Sequence, residues 1–254
     1  FAERLTRSLA VARFTDAFGN RAHLVSQAKP EADLVVTVTG TVETIDRNGV
    51  LGRPAGEPVV ALFRRVTELT SANPEVLEPF KTADRSGAGR IALLHGLMGR
   101  IGELYSFGEA AAEADMAMEA SGGASQTQSQ TQGVDGKSAT GDGEPERKPA
   151  DAATFAHTFI GAARALNIPA RYVTGYLAAG EEQGGAFHAW AEAYDDGLGW
   201  IGFDAALGIC PTDRHVRLAV GLDARSAMPV RVAPELGAPK ELEVSIEAEA
   251  GAAQ

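Results

Sequence analysis

The sequence predicts an α+β fold in which one helix packs on an antiparallel sheet, and three observations carry that reading. Residues 34–46, from Leu34 to Asp46, alternate β-branched residues with threonine, glycine and glutamate, the period-two pattern of a half-buried strand. Residues 151–168 place Phe155, Phe159, Ile160, Ala163 and Leu166 on one helical stripe, with Asp151 positioned to cap the first turn and Pro169 to end the helix. Three short apolar and aromatic runs follow, beginning at Ala170, Ala186 and Trp200, and glycine-rich turns divide them.

Taken in order, the chain opens on phenylalanine rather than methionine, as expected if an upstream segment has been removed. Asp16 to Arg21 has turn chemistry and leads into His23-Leu24-Val25-Ser26, so residues 1–66 form a β-rich N-terminal region. From Thr67 the pattern becomes helical: the stretch from Ser71 to Phe80 supplies an N-cap and an acidic turn, and Ile91 to Tyr105 spaces its apolar residues for a helix. An alanine-rich helix is expected over 109–120, which closes a helical part at 67–120. Residues 121–150 contain a single valine among Gln, Ser, Gly and charged residues, too little apolar surface to offset the cost of ordering, and read as a disordered insertion. A Gln/Ser-rich interaction tract has the same composition. Residues 151–231 then hold the helix, the three strands and a further strand near Val216, and 232–254 a last strand over 241–248 and a tail.

Composition narrows the function. A chain of 254 residues can bury a sizeable core without disulfides, and its one cysteine, Cys210, allows neither an internal bridge nor a cysteine-cluster zinc site. Thirty-four acidic against twenty-three basic residues give a formal net charge of −11, which repels nucleic-acid backbones and anionic membranes. No apolar run approaches the ~20 residues of a membrane span. Neither nucleic acid nor membrane is expected as a partner, and the cytoplasm is taken as the default compartment. The five histidines are scattered without i, i+4 spacing and no phosphate loop occurs, so neither a metal nor a cofactor is expected.

Two residues stand out in the strand region, His188 in Phe187-His188-Ala189-Trp190 and Asp204 at the end of Trp200-Ile201-Gly202-Phe203. On neighbouring strands, the carboxylate would fix the imidazole's tautomer and stabilise its protonated form, which is two thirds of a nucleophilic triad. The same pair can equally be a satisfied polar contact. A thiol at the start of the preceding helix would complete the triad, because the helix dipole favours thiolate there. That helix opens Asp151-Ala152-Ala153-Thr154.

Three blocks carry a family resemblance: Phe155-Ala156-His157 through Leu177, Phe187 through Asp204, and Ile209-Cys210-Pro211 through Arg231. In this order they resemble the bacterial transglutaminase-like family, and the likeness extends to its β-rich N-terminal region. The resemblance implies a papain-like core and a Cys-His-Asp triad that hydrolyses amides or passes an acyl group to an amine. His188 and Asp204 match the family's histidine and aspartate. Ala152 falls where the cysteine belongs, within a family block Gly-Val-Cys-Gln-Asp that reads Ala150-Asp151-Ala152-Ala153-Thr154 here. Five changed positions imply natural divergence to a catalytically silent domain that binds a peptide or amide-bearing partner. Alternatives are an active acyl transferase or peptidase using Cys210, or more remotely Asp151, and a scaffold acting through its insertion. Cys210 otherwise reads as a small packed hydrophobe, His157 as a hydrogen-bonded core residue, and Trp190 and Trp200 as packing residues, while His215 and His23 have no assignable partner. The sequence leaves the oligomeric state open.

Overall fold

A computed structural model describes residues 2–3, 9–27, 37–84, 86–108, 147–178 and 186–231. The N-terminal strands are shorter and less connected than their alternation suggests. Among the described residues strand β1 (Ala2–Glu3) pairs with β4 (Val38–Thr39), and β2 (Leu9–Thr15) forms an antiparallel hairpin with β3 (Arg21–Gln27). The hairpin turn is built as its residues dictate: Asp16 Oδ1 accepts from the Phe18 and Asn20 amides, and Gly19 takes a positive φ of 88°. Asn20 then clamps Val220 in both directions at 2.8 Å, which docks the turn on the core sheet. The strand expected over 34–46 reduces to Val38–Thr39 among the described residues; 40–47 are exposed and irregular. Alternation supplies a face, but without a neighbouring strand there is no ladder to hold it.

The core sheet is built from β5 (Val50–Gly52), β8 (Ala170–Leu177), β9 (Ala186–Asp195), β10 (Gly199–Phe203) and β11 (His215–Gly221). Their order across the sheet is β11-β8-β9-β10-β5, with all neighbours antiparallel. The four late strands are those expected from the sequence. Helix α1 (Pro74–Leu77) is capped by Asn73, whose side chain accepts the Glu75 amide. Helix α2 (Gly87–Leu104) follows, and β6 (Tyr105–Phe107) pairs in parallel with β7 (Lys148–Ala150). That pairing corrects the boundary of the expected insertion: Lys148, Pro149 and Ala150 are strand, and Ala150 is buried. The helix expected over 109–120, the insertion up to residue 146 and the strand over 241–248 lie outside the described residues.

Helix α3 (Ala152–Ala165) positions the site. Asp151 caps it, accepting the Thr154 amide at 2.6 Å. It ends before Pro169 comes into play: Asn167 turns left-handed at φ 65°, its amide reaches Arg164 O, and the Ile168 amide reaches Ala163 O, a Schellman ending. Phe155, Phe159, Ile160, Ala163 and Leu166 are all buried, as their stripe requires. They pack with Ala189, Ala191 and Ala193, alternate residues of β9 whose small side chains let the helix lie close to the sheet. Arg164 is buried too; its guanidinium reaches the carbonyls of Phe63, Ala170 and Leu222 and the Thr70 hydroxyl, tying four segments to α3. The opposite sheet face holds an ion cluster: Glu192 accepts from Arg171 at 2.5 Å and Arg217 at 2.9 Å, and the Arg171 guanidinium lies 3.9 Å from the Trp200 ring centroid.

Candidate active site

Register brings the predicted pair together. On β9, His188 lies opposite Gly175 of β8, while the first residue after β10 is Asp204. The His188 ring meets the carboxylate with Nε2···Oδ2 at 2.6 Å, and both side chains are buried. Asp204 is fixed by its own backbone as well: its amide and carbonyl bridge to Ile209, and its Oδ1 accepts the Ala206 and Leu207 amides at 3.1 Å each. Burial alone would raise this carboxyl, but N–H donors from His188 and His215 and the Leu207 amide overcome it, so Asp204 titrates below its ordinary value. The pair is therefore an ionised carboxylate receiving an imidazole N–H, and His188 Nδ1 is the ring nitrogen left over.

His215, to which the sequence assigned no partner, contributes the second imidazole. Its Nε2 lies 3.0 Å from the same Asp204 Oδ2, and its Nδ1 accepts the Thr212 amide at 3.1 Å. A backbone N–H can only donate, so the His215 proton resides on Nε2 and points at Asp204. Local spacing carries little of this. Thr212-x-x-His215 hints at a turn, but the approach to Asp204 depends on β11 lying at the sheet edge beside β8.

Packing holds the two rings apart at the right angles. The Trp190 ring sits two residues along β9 from His188 and lies 6.4 Å from its ring and 5.3 Å, edge-on, from His215. Gly175 makes room for it: a Cβ there would fall 2.6 Å from the indole and into the Val216 carbonyl. Trp190 is thus both a packing residue and a wall of the site, whereas Trp200 packs in the other cluster with Phe63. His157 is the hydrogen-bonded core residue expected: Nε2 accepts the Ala224 amide, its ring stacks on Tyr172 at 4.8 Å, and burial lowers its pKa to about 4.

The helix start reaches this site through Phe107. The Phe107 ring is 6.1 Å from His188 and 6.2 Å from Phe155 on the first turn of α3, and Phe107 pairs with Ala150, two residues before Ala152. Ala152 opens α3 with 4% exposure, a buried methyl at the end of the helix where a nucleophile would gain from the dipole. The Asp151 carboxylate already occupies that end, taking one of the N–H groups that would stabilise an anion. Cys210 is half-buried and follows the Ile209 bridge to Asp204. Its thiol is pushed up by burial, and its sulfur lies beside Gly49 at the β5 edge.

His188, Asp204 and His215 offer three ligand-type atoms within 4.8 Å of one another. A divalent ion would need a lone pair on Nε2 of His215, forcing that ring's proton onto Nδ1, where the Thr212 N–H already donates. The trio suits a carboxylate with two N–H donors and does not suit a metal.

With this geometry in hand, comparison places the domain. Residues 125–205 match the model of the Transglutaminase-like superfamily, a span that takes in α3 and the strand of His188 and ends at the Asp204 turn. The matched span does not include the strand-rich N-terminal region. An uncharacterized protein of Mycobacterium leprae (strain TN) is 31% identical over 83 residues, which cover 30% of this chain and 29% of that relative. The match thus spans less than a third of the curated relative. Among solved structures, a "Putative Cysteine Protease" from Cytophaga hutchinsonii aligns with a TM-score of 0.47 and 20% identity, covering 85% of this chain and 68% of that one. No helix among the described residues is long and apolar enough to cross a membrane.

Proposed function

We propose that this domain keeps the proton-handling pair of a transglutaminase-like acyl-transfer site without its nucleophile, and holds a peptide or amide-bearing partner there without forming a thioester. The observation that supports the reading is a buried His188–Asp204 contact of 2.6 Å, linked through the Phe107 ring to Phe155 on the first turn of the helix that begins with Ala152. Aspartate, histidine and helix dipole can orient and move a proton, but a methyl group cannot attack a carbonyl. Asp151 adds to the effect, because its charge disfavours a second anion at the helix start. The partner is a peptide or protein and not nucleic acid, in keeping with the net charge of −11, and the cytoplasm is the working compartment.

Incubating the native chain with a glutamine-containing peptide donor and an amine acceptor should give neither amide hydrolysis nor acyl transfer. Ala152→Cys tests the inherited geometry: its new thiol should alkylate at least about tenfold faster than Cys210 at neutral pH, since it sits at the start of a helix whose first turn shares the Phe107 ring with His188. Adding Asp151→Asn should raise that rate further. Robust turnover by the native chain, or labelling at position 152 of the variant no faster than at Cys210, would refute the proposal.

A further inference from the structure

We propose that His215 is a positioning residue of this site, acting through Asp204 to set which nitrogen of His188 is left free. The inference rests on the reading of His188–Asp204 as the proton-handling pair, and it adds a residue that the sequence leaves without a partner. Asp204 Oδ2 lies 2.6 Å from His188 Nε2 and 3.0 Å from His215 Nε2, while Oδ1 takes the two turn amides. Four donors surround one carboxylate, so it can neither rotate nor accept a proton without losing a buried hydrogen bond.

The Thr212 amide is what gives the arrangement its direction. By donating to His215 Nδ1 it fixes that ring as the Nε2–H tautomer, which makes His215 an obligate donor toward Asp204. A carboxylate pinned in this way presents only an acceptor to His188 Nε2, and His188 must keep its proton there. Nδ1 of His188 then carries the lone pair, the nitrogen a nucleophile or a bound amide N–H would meet. Trp190, lying edge-on to His215 and roughly parallel to His188, keeps both rings from tilting out of these bonds. Without His215, Oδ2 would keep His188 as its one donor, and the carboxylate edge facing that ring would lose half of its anchoring while Oδ1 stays on the turn amides.

The tautomers can be read directly. Ring nitrogen NMR of the full native chain, 15N-labelled at histidine, should show His188 and His215 each as a single Nε2–H form at pH 8. His215→Phe keeps a ring of similar size but no donor, and should give His188 a mixed tautomer signature; His215→Gln, which retains an N–H donor, should restore the single form. In the Ala152→Cys background, His215→Phe should slow alkylation at position 152 by about tenfold or more, since loss of alignment costs rate steeply, and His215→Gln should recover most of it. A native His215 found as the Nδ1–H form would overturn the proposal even if His215→Phe fails to fold. An unchanged His188 signature and alkylation rate in a folded His215→Phe would overturn it as well. Should Ala152→Cys itself react no faster than Cys210, the functional reading fails, while the native tautomers still decide the role of His215.

Discussion

Lowering the pH from 7 to 4 should destabilise the native chain through His157, and His157→Gln should escape most of that loss. The imidazole is neutral in the fold, with Nε2 accepting the Ala224 amide and the ring stacked on Tyr172. Burial is the main cause of its depressed pKa, with Arg164 and Arg225 adding to it and Asp223 and Asp151 opposing it. The unfolded chain takes up the proton near 6.5, whereas the native state holds it off until about 4. Across that window the unfolded state binds more protons, so stability is full above 6.5 and falls with decreasing pH until about 4. At about 1.4 kcal/mol per pH unit, the loss is on the order of 3 kcal/mol. Urea melts at a series of pH values would measure it. Glutamine keeps an acceptor for the Ala224 amide and does not titrate, so the native-minus-variant difference isolates His157 from the carboxylates. Parallel stability curves for the two proteins between pH 7 and 4 would refute the reasoning.

Further expectations concern packing and charge. Gly175→Ala should cost at least about 1–3 kcal/mol, because a methyl there strikes both the Trp190 ring and the Val216 carbonyl, and thermal melting would register it. Arg164→Met should cost about 3 kcal/mol or more in denaturant melts, since it strands the buried carbonyls of Phe63, Ala170 and Leu222. Glu192→Gln should be comparably damaging in the same melts. Burial would raise that carboxyl, but Arg171 and Arg217 hold it below its ordinary value, and removing its charge takes from the fully buried Arg171 its buried ionic partner, leaving it the Glu57 carboxylate at 2.9 Å. Cys210→Ala should change stability by no more than about 1 kcal/mol, and the native thiol should alkylate more slowly at neutral pH than a free cysteine, as burial pushes it up.

Much of the site's framework was legible because independent signals coincided. Helix α3 had an apolar stripe, a capping aspartate and a following proline, and the structure uses the first two while Asn167 supplies the stop. His188 and Asp204 sat on short aromatic runs that become adjacent strands, so local pattern and topology agreed. Residues 34–46 show the opposite case: a strand-like alternation that has a partner over only Val38–Thr39. His215 was illegible for a related reason. Its partner follows β10, beyond β8 and β9 in the sheet order, and nothing in the residues around 215 encodes that β11 takes the outer position. Lys148–Ala150 was concealed by the polar composition before it, although Ala150 pairs with Phe107 at the site.

The parallel pairing of β6 with β7 also has an engineering corollary. The chain leaves at residue 108 and re-enters at 147 on neighbouring strands ~4.8 Å apart, so the two ends of the intervening connection stay within a short strand's length of each other. Doubling a flexible connection between fixed ends adds only about 0.6 kcal/mol of closure entropy. A reporter or binding module spliced between those ends would hang at the doorstep of His188, tolerated by the scaffold and delivered by it.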